Sequence, residues 1–186
     1  IQVLSPTRKR TAGTASLNRA IQEAVNPPGP DRPERRFGEY IFRRGDRVMQ
    51  VRNNYDVVWK DGLTSGMGMF NGDIGVIRTV DKEVVLVDFD GKLVEYTPDM
   101  LGELEPAYAI TVHKAQGSEY RAVILAVCEG APMLLTRGVL YTAITRAREL
   151  LILVGDEDVV AHMTANDRQQ RRYSGLRWRL AQLANG

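Results

Sequence analysis

The segment ITVHKAQGSEY (residues 110–120) places six different polar residue types directly behind an apolar stretch. Thr111, His113 and Lys114 can donate to phosphate oxygens, and Gly117 lets the backbone approach an anion. In an open α/β sheet, ligands bind at the carboxyl ends of strands, which is where this segment is predicted to lie. It therefore predicts a phosphate-binding loop. The alternative is a helix N-terminus capped by ordinary polar residues.

A second candidate lies in LYTAITRAREL (140–150), where Arg146 and Arg148 stand at the end of a helix predicted over residues 136–148. An arginine that stabilises charge on a transferring phosphoryl group contributes about 10³–10⁵ in rate. The alternative is that both arginines stabilise the end of the helix through its dipole, which is worth about 0.3–1 kcal/mol. The sequence leaves both roles open.

Several kinds of site are excluded. The chain has no GxxxxGK[ST] motif, so it holds no phosphate cradle of that type, and LLILVGDED (150–158) is predicted as a strand followed by a helix start. A single cysteine, Cys128, excludes an internal disulfide, and the two histidines, His113 and His162, stand 49 positions apart, so we expect no metal site. No run of 18 apolar residues occurs, which excludes a membrane-spanning helix.

Strands and helices alternate at both ends of the chain. Apolar runs predict strands over 1–4, 107–111, 122–128 and 150–154, the last as a buried parallel strand. A helix is predicted from Thr14, its N-cap, and its apolar face consists of Leu17, Ala20, Ile21, Ala24 and Val25. The tail 156–186 is predicted to be mostly helical, with a solvent side that carries Arg168, Arg171, Arg172, Arg177 and Arg179.

The middle of the chain shows a period of two instead. Short strands are predicted over 46–52, 74–80, 83–89 and 92–96, and Asp90-Gly91 marks a type I′ hairpin turn. The glycine-rich segment 61–72 is predicted to be a mobile loop. These patterns predict an α/β layer, formed by residues 1–40 and 105–186, with a small β-barrel inserted at 41–104.

Charge follows a similar division. Residues 1–52 hold 11 Lys and Arg against 5 Asp and Glu, residues 53–110 hold 4 against 11, and residues 111–186 hold 10 against 7. Basic flanks around an acidic middle indicate a polyanion as partner of the flanks, although chance alternation on a solvated surface is the alternative.

These segments together resemble the second half of a RecD-like superfamily 1 DNA helicase. ITVHKAQGSEY is similar to motif V of that family and LYTAITRAREL to its motif VI. Residues 2–22 resemble the motif IV region. GDRVMQVRNNYD (45–56) and FNGDIGVI (70–77) resemble the SH3-like barrel, domain 2B, of these helicases. The resemblance implies a RecA-like domain 2A, a parallel sheet with flanking helices, into which domain 2B is inserted.

The resemblance also implies roles for individual residues. Arg146 matches the motif VI arginine that reaches the γ-phosphate of ATP, and Arg8 is the best match to a motif IV arginine that assists it. Gln116, Gly117 and Glu119 match nucleotide-binding positions. The positions that match contacts to single-stranded DNA are Thr111, His113 and Lys114 in motif V and Asn53, Asn54 and Tyr55 in the barrel.

The resemblance therefore implies the C-terminal part of an ATP-dependent 5′→3′ DNA helicase, bacterial and cytoplasmic, with repair or recombination proteins as further partners. The resemblance implies that the magnesium ligands and the phosphate cradle lie on a missing N-terminal RecA-like domain of the same polypeptide. The chain opens at Ile1 within an apolar stretch, as we expect for a piece of a longer polypeptide. We expect the fragment alone to be inactive. Two alternatives stay open: the helicase portion of a conjugative relaxase, and a non-catalytic module that binds nucleic acid or protein.

Overall fold

A computed structural model describes residues 1–128, 130, 132–168, 175, 179–180 and 182–183. Its strands are β1 (Gln2–Ser5), β2 (Glu34–Phe37), β3 (Tyr40–Arg43), β4 (Arg47–Gln50), β5 (Asn54–Asp61), β6 (Thr64–Met69), β7 (Ile74–Val80), β8 (Val85–Phe89), β9 (Lys92–Tyr96), β10 (Leu104–Pro106), β11 (Ala109–Thr111), β12 (Tyr120–Val127) and β13 (Ala147–Gly155). Its α-helices are α1 (Thr14–Val25), α2 (Arg137–Ile144) and α3 (Glu157–Ala165), and a 3₁₀ turn covers Met100–Glu103. Within these described stretches, no helix is both long enough and apolar enough to cross a membrane. Of the tail arginines, Arg171, Arg172 and Arg177 lie outside the described residues.

Four strands form a fully parallel sheet in the order β11-β1-β12-β13. The four strands predicted at the two ends of the chain all lie in this sheet. Its core contains Leu4 and Leu125 from the sheet, Leu140 and Ala143 from α2, and Met163 from α3. The helix predicted over 136–148 is shorter than expected, because β13 already begins at Ala147.

The prediction that β13 is a buried strand is wrong. Among the described residues, β13 pairs only with β12, at the edge of the sheet, and Leu150 and Val154 are 51% and 53% exposed. A continuous apolar run is typical of parallel strands, but it does not report how many neighbours cover the strand.

The middle of the chain forms a seven-stranded antiparallel sheet in the order β10-β4-β7-β8-β9-β5-β6, which surrounds a second core. The predicted hairpin turn between β8 and β9 has φ of 55° at Asp90 and 95° at Gly91, the positive values that a type I′ turn requires. The prediction of a loop over 61–72 is wrong in part, because β6 lies there and pairs with β5. Gly66 serves packing instead, since an added Cβ would lie 2.3 Å from a ring carbon of Trp59.

Helix α1 begins at Thr14 as predicted but buries a different face. Its buried side chains are the polar residues Thr14, Asn18 and Gln22, whereas Val25 of the predicted apolar face is 61% exposed. The Asn18 amide donates to the Ala109 carbonyl and accepts from the Ala109 N–H, both at 2.8 Å. Polar contacts to backbone therefore hold the helix on β11. The N-cap is Gly13, and Thr14 makes no capping hydrogen bond.

A buried carboxylate, that of Asp46, joins the two sheets. It accepts hydrogen bonds from the side-chain amides of Gln22 and Asn26, the backbone N–H of Arg43 and the hydroxyl of Tyr108. Burial and the negative charge of Asp46 raise the pKa of the Tyr108 hydroxyl, which therefore stays protonated and donates. This one residue fixes the end of α1 and the start of β11 against the first strands of the barrel region.

Candidate functional site

The segment predicted to bind phosphate forms a compact loop of residues 112–119 between β11 and β12, termed the 112–119 loop. Val112 and Ala115 are buried in the core of the parallel sheet and anchor the loop. The N–H of Ala115 donates to the carbonyl of Thr111 at 3.1 Å, so the loop starts with a tight turn. Residues His113, Gln116, Gly117 and Glu119 are exposed. The loop thus presents its polar groups to solvent from an apolar base.

Gly117 has a φ of 86°, in the left-handed region that favours glycine. No atom lies within 4 Å of the position that a Cβ would take, so an added methyl group would meet only backbone strain. We expect Gly117→Ala to lower the free energy of unfolding by about 1 kcal/mol, measured by urea denaturation. Gly29→Ala is the matched control, because Gly29 also faces open space but at an ordinary φ. Equal effects of the two changes would contradict this explanation.

Arg146 connects the end of α2 to the 112–119 loop. Its guanidinium donates to the carbonyl of Ser118 at 2.9 Å, the carbonyl of Thr142 at 3.1 Å and the hydroxyl of Thr145 at 3.2 Å. Its own carbonyl accepts from the N–H of Tyr120 at 2.8 Å. These contacts use three of the five guanidinium N–H groups, which leaves donors for a phosphate. The arrangement positions the arginine and leaves it able to bind an anion.

Glu119 lies beside the same helix end. Its carboxylate is 4.0 Å from Nε of Arg148, and both side chains are mostly exposed. The structure therefore brings Ser118 and Glu119 of motif V close to the arginines of motif VI. They meet at the amino ends of β12 and β13, not at the carboxyl ends of strands where the sequence predicts ligand binding.

Arg8 lies elsewhere. It follows the carboxyl end of β1, whereas Arg146 precedes the amino end of β13, and these ends lie at opposite edges of a parallel sheet. At about 3.3 Å per residue, the register places the two residues roughly 20 Å apart along the strand direction. The structure does not bring Arg8 to Arg146, although the resemblance implies that Arg8 assists Arg146 at the γ-phosphate.

Arg8 instead shares a carboxylate with Lys114. Its guanidinium donates to Oε1 of Glu105 at 2.7 Å and to the hydroxyl of Tyr40 at 3.3 Å, while Nζ of Lys114 donates to Oε2 of Glu105 at 2.9 Å. Burial raises the pKa of Glu105, but the two cations outweigh burial and hold that pKa below its ordinary value. The backbone N–H of Lys114 also donates to Oγ1 of Thr111.

The predicted DNA-binding residues of the barrel have two different surroundings. Asn54 is half-buried, and its amide donates to both oxygens of the Glu103 carboxylate. Tyr55 is 65% exposed and stacks edge-to-face on Phe70, at 5.9 Å between ring centroids. Asn53 donates to the Tyr55 hydroxyl at 3.3 Å. As far as the described residues go, none of these hydrogen bonds reaches the 112–119 loop.

Phe70 and Glu105 contact the predicted site residues, but the sequence analysis assigns no function to either of them. Phe70 stands in FNGDIGVI, which marks the barrel, but its contact with Tyr55 depends on the β5–β6 hairpin. Glu105 belongs to no motif, and the only sequence feature that draws attention to it is its position two residues before the AYAIT strand (107–111).

Comparison with known proteins tests the resemblance. Residues 17–89 match the family described as ATP-dependent RecD-like DNA helicase SH3 domain, and residues 106–154 match UvrD-like helicase C-terminal domain. The ATP-dependent RecD2 DNA helicase of Deinococcus radiodurans is 35% identical over 171 residues, which is 92% of this chain and 22% of that protein. This chain carries a RecD-like helicase SH3 domain and a UvrD-like helicase C-terminal domain. The RecBCD enzyme subunit RecD of Mycobacterium tuberculosis is 38% identical over 117 residues, 62% of this chain and 20% of that protein.

This RecD-like chain thus spans about a fifth of the length of these curated relatives. A solved structure of Bacteroides Pif1 bound to ssDNA superposes with a TM-score of 0.57 at 20% identity, over 100% of this chain and 46% of that one. Together with the RecD-like SH3 match, this likeness confirms the predicted fold class: a RecA-like parallel sheet with flanking helices, joined to an SH3-like barrel. The UvrD-like match contains both the 112–119 loop and Arg146.

Proposed function

We propose that this RecD-like chain is the C-terminal part of an ATP-dependent helicase that moves 5′→3′ on single-stranded DNA. In this proposal residues 1–40 and 105–186 form domain 2A and residues 41–104 form domain 2B. The hydrogen bond from Arg146 to the carbonyl of Ser118 carries the proposal, because it joins the arginine of motif VI to the loop of motif V.

Arg146 is the residue that we assign to the γ-phosphate of ATP. Its two remaining guanidinium N–H groups fit an anionic ligand. We assign Glu119 to the sugar hydroxyls of the nucleotide, as the resemblance implies. Bound ATP supplies the phosphoanhydride bond whose cleavage provides the free energy. A planar guanidinium stabilises the charge that develops on the phosphoryl oxygens, without giving up a proton. Among the described residues, no three acidic, histidine or cysteine side chains converge as a metal site. We assign the Mg²⁺ ligands to the other RecA-like domain of the polypeptide, as the resemblance implies.

In this proposal two groups of residues bind single-stranded DNA. They are Thr111, His113 and Lys114 at the carboxyl end of β11, and Asn53, Asn54 and Tyr55 in the barrel. The 112–119 loop runs from the carboxyl end of β11 to Ser118, whose carbonyl accepts a hydrogen bond from Arg146. A shift of Arg146 between nucleotide states would therefore pull on the same loop that contacts the strand. Val112 and Ala115 are buried and fix the base of this short loop in the core. A displacement of Ser118 is therefore transmitted along the loop to the residues that contact DNA.

The M. tuberculosis relative bears the name of a RecBCD subunit. That name supports repair or recombination proteins as further partners of the complete polypeptide. In this proposal the complete polypeptide acts in the bacterial cytoplasm, where chromosomal DNA lies.

The complete native polypeptide should hydrolyse ATP faster when single-stranded DNA is added. It should unwind a duplex with a 5′ overhang and leave one with a 3′ overhang intact, because the proposed motor moves toward the 3′ end of the strand it holds. Strand separation followed by gel or fluorescence measures both substrates. The 186-residue chain alone should show no ATPase activity. Unwinding of the 3′-overhang substrate only, or ATPase activity that DNA does not change, would refute the proposal.

A further inference from the structure

Glu105 is a single carboxylate that neutralises two cations from distant parts of the chain. Arg8 comes from the loop after β1, Lys114 from the 112–119 loop, and Glu105 itself from β10. Each cation takes one oxygen, at 2.7 and 2.9 Å, so both oxygens of the carboxylate are engaged. The group is half-buried, with 24% of its side chain exposed, and solvent screens these two ion pairs less than it screens a surface pair.

The space between the two cations is already filled. The cavity lined by Arg8, Thr111, Lys114 and Glu105 has a volume of about 20 Å³, which holds no more than a single water molecule. A phosphate group therefore fits between Arg8 and Lys114 only if the carboxylate moves away. Each Glu105 oxygen accepts a hydrogen bond from one of the two cations, as two oxygens of a phosphate group would.

A larger groove opens beside this cavity, between α1 and the β2–β3 hairpin. It has a volume of about 430 Å³, shares Arg8 with the smaller cavity, and is lined by three further cations, Lys9, Arg19 and Arg36. Two carboxylates, Glu23 and Glu39, also line it, so basic groups exceed acidic ones by four to two. A polyanion that follows this groove would pass Arg8 and reach the cavity that Glu105 fills.

We propose that Glu105 is a competing carboxylate that stands in for a backbone phosphate of single-stranded DNA. Glu105 pairs with Arg8 and Lys114 when no DNA is bound. When a phosphodiester of single-stranded DNA binds between these two cations, the carboxylate moves away and Arg8 contacts the DNA. This inference rests on the proposed function, because it requires that the protein binds DNA. The internal anion lowers the affinity for the strand and speeds its release, as a protein that steps along DNA requires.

The test measures binding of fluorescein-labelled oligo(dT) to the complete polypeptide at several salt concentrations, alongside the KM for ATP. Glu105→Gln keeps the shape of the side chain and removes its charge. We expect the Kd for oligo(dT) to fall about three- to tenfold at 0.1 M salt, with the slope of log K against log salt steeper by about 0.7. The KM for ATP should not change. Glu83→Gln is the matched control, since Glu83 is exposed on the barrel and the same loss of charge there should change neither value.

Two further variants separate the explanations. In a background that carries both Arg8→Gln and Lys114→Gln, Glu105→Gln should no longer tighten binding, because the carboxylate has no cations to release. Arg8→Gln alone should weaken oligo(dT) binding and leave the KM for ATP unchanged, and it tests the inference even if Glu105→Gln lowers the thermal stability. An unchanged or higher Kd for Glu105→Gln, or an effect of Arg8→Gln on the KM alone, overturns the inference. If the unaltered polypeptide binds no oligo(dT), the proposed function itself fails.

Discussion

Arg146→Ala in the complete polypeptide should lower kcat for ATP hydrolysis by a factor of about 10³–10⁵. In the proposed function this guanidinium stabilises charge on the transferring phosphoryl group, and alanine removes every donor. The dissociation constant for ATP should change much less, because the phosphate cradle and the metal site are assigned to another domain. Steady-state ATPase assays with saturating single-stranded DNA give kcat, and a fluorescent ATP analogue gives the dissociation constant.

Arg146 also donates to the carbonyls of Ser118 and Thr142, so a structural loss must be told apart from a catalytic one. Arg146→Lys serves this purpose, because it keeps the charge but cannot reproduce the planar fork of donors. It should leave thermal stability near that of the unaltered protein and still lose most of kcat. Arg121→Ala is the matched control, since that arginine forms an exposed pair with Glu149. If Arg146→Ala keeps kcat within tenfold of the unaltered enzyme, the assignment is wrong.

The sequence predicted where the strands lie better than it predicted which face of a helix is buried. Period-two patterns located β7 and β9 at their observed bounds, and Asp90-Gly91 predicted its turn, because both signals are local. The face of α1 was predicted wrongly because apolar periodicity assumes that the buried side is apolar. Asn18 is buried instead, since it satisfies the backbone donor and acceptor of Ala109, 91 positions away.

The candidate site shows the same limit. The sequence predicts the 112–119 loop and Arg146 as candidates because their residue types cluster within short segments. The contact of Arg8 with Glu105 joins residues 97 positions apart, and no local pattern contains it. Charge counts indicated a basic first block and an acidic middle, but they could not show that one acidic residue of the middle neutralises a basic residue of the first block. Such pairs follow from strand order, which composition does not reveal.

Asp46→Ala should lower the free energy of unfolding of the chain by about 3–5 kcal/mol. Asp46 is 2% exposed, and each of its oxygens accepts two hydrogen bonds, Oδ1 from Asn26 and Tyr108 and Oδ2 from Gln22 and the N–H of Arg43. Alanine would leave three buried donors and the half-buried hydroxyl of Tyr108 without their acceptor. Each unsatisfied buried donor costs about 1–3 kcal/mol. Rearrangement and entering water recover part of this sum. Urea denaturation followed by circular dichroism measures the change.

Asp46→Asn refines this prediction, because it keeps the size of the side chain but turns one acceptor oxygen into an amide that faces two donors. Its cost should fall between that of alanine and zero. Asp81→Ala is the control, since Asp81 is exposed in the turn before β8, and it should change the free energy of unfolding by less than about 0.5 kcal/mol. A loss below about 1 kcal/mol for Asp46→Ala would show that the four donors find other partners. The carboxylate would then not hold the barrel against the parallel sheet. The position of the proposed DNA-binding residues of the barrel relative to the 112–119 loop would depend on the apolar contacts alone.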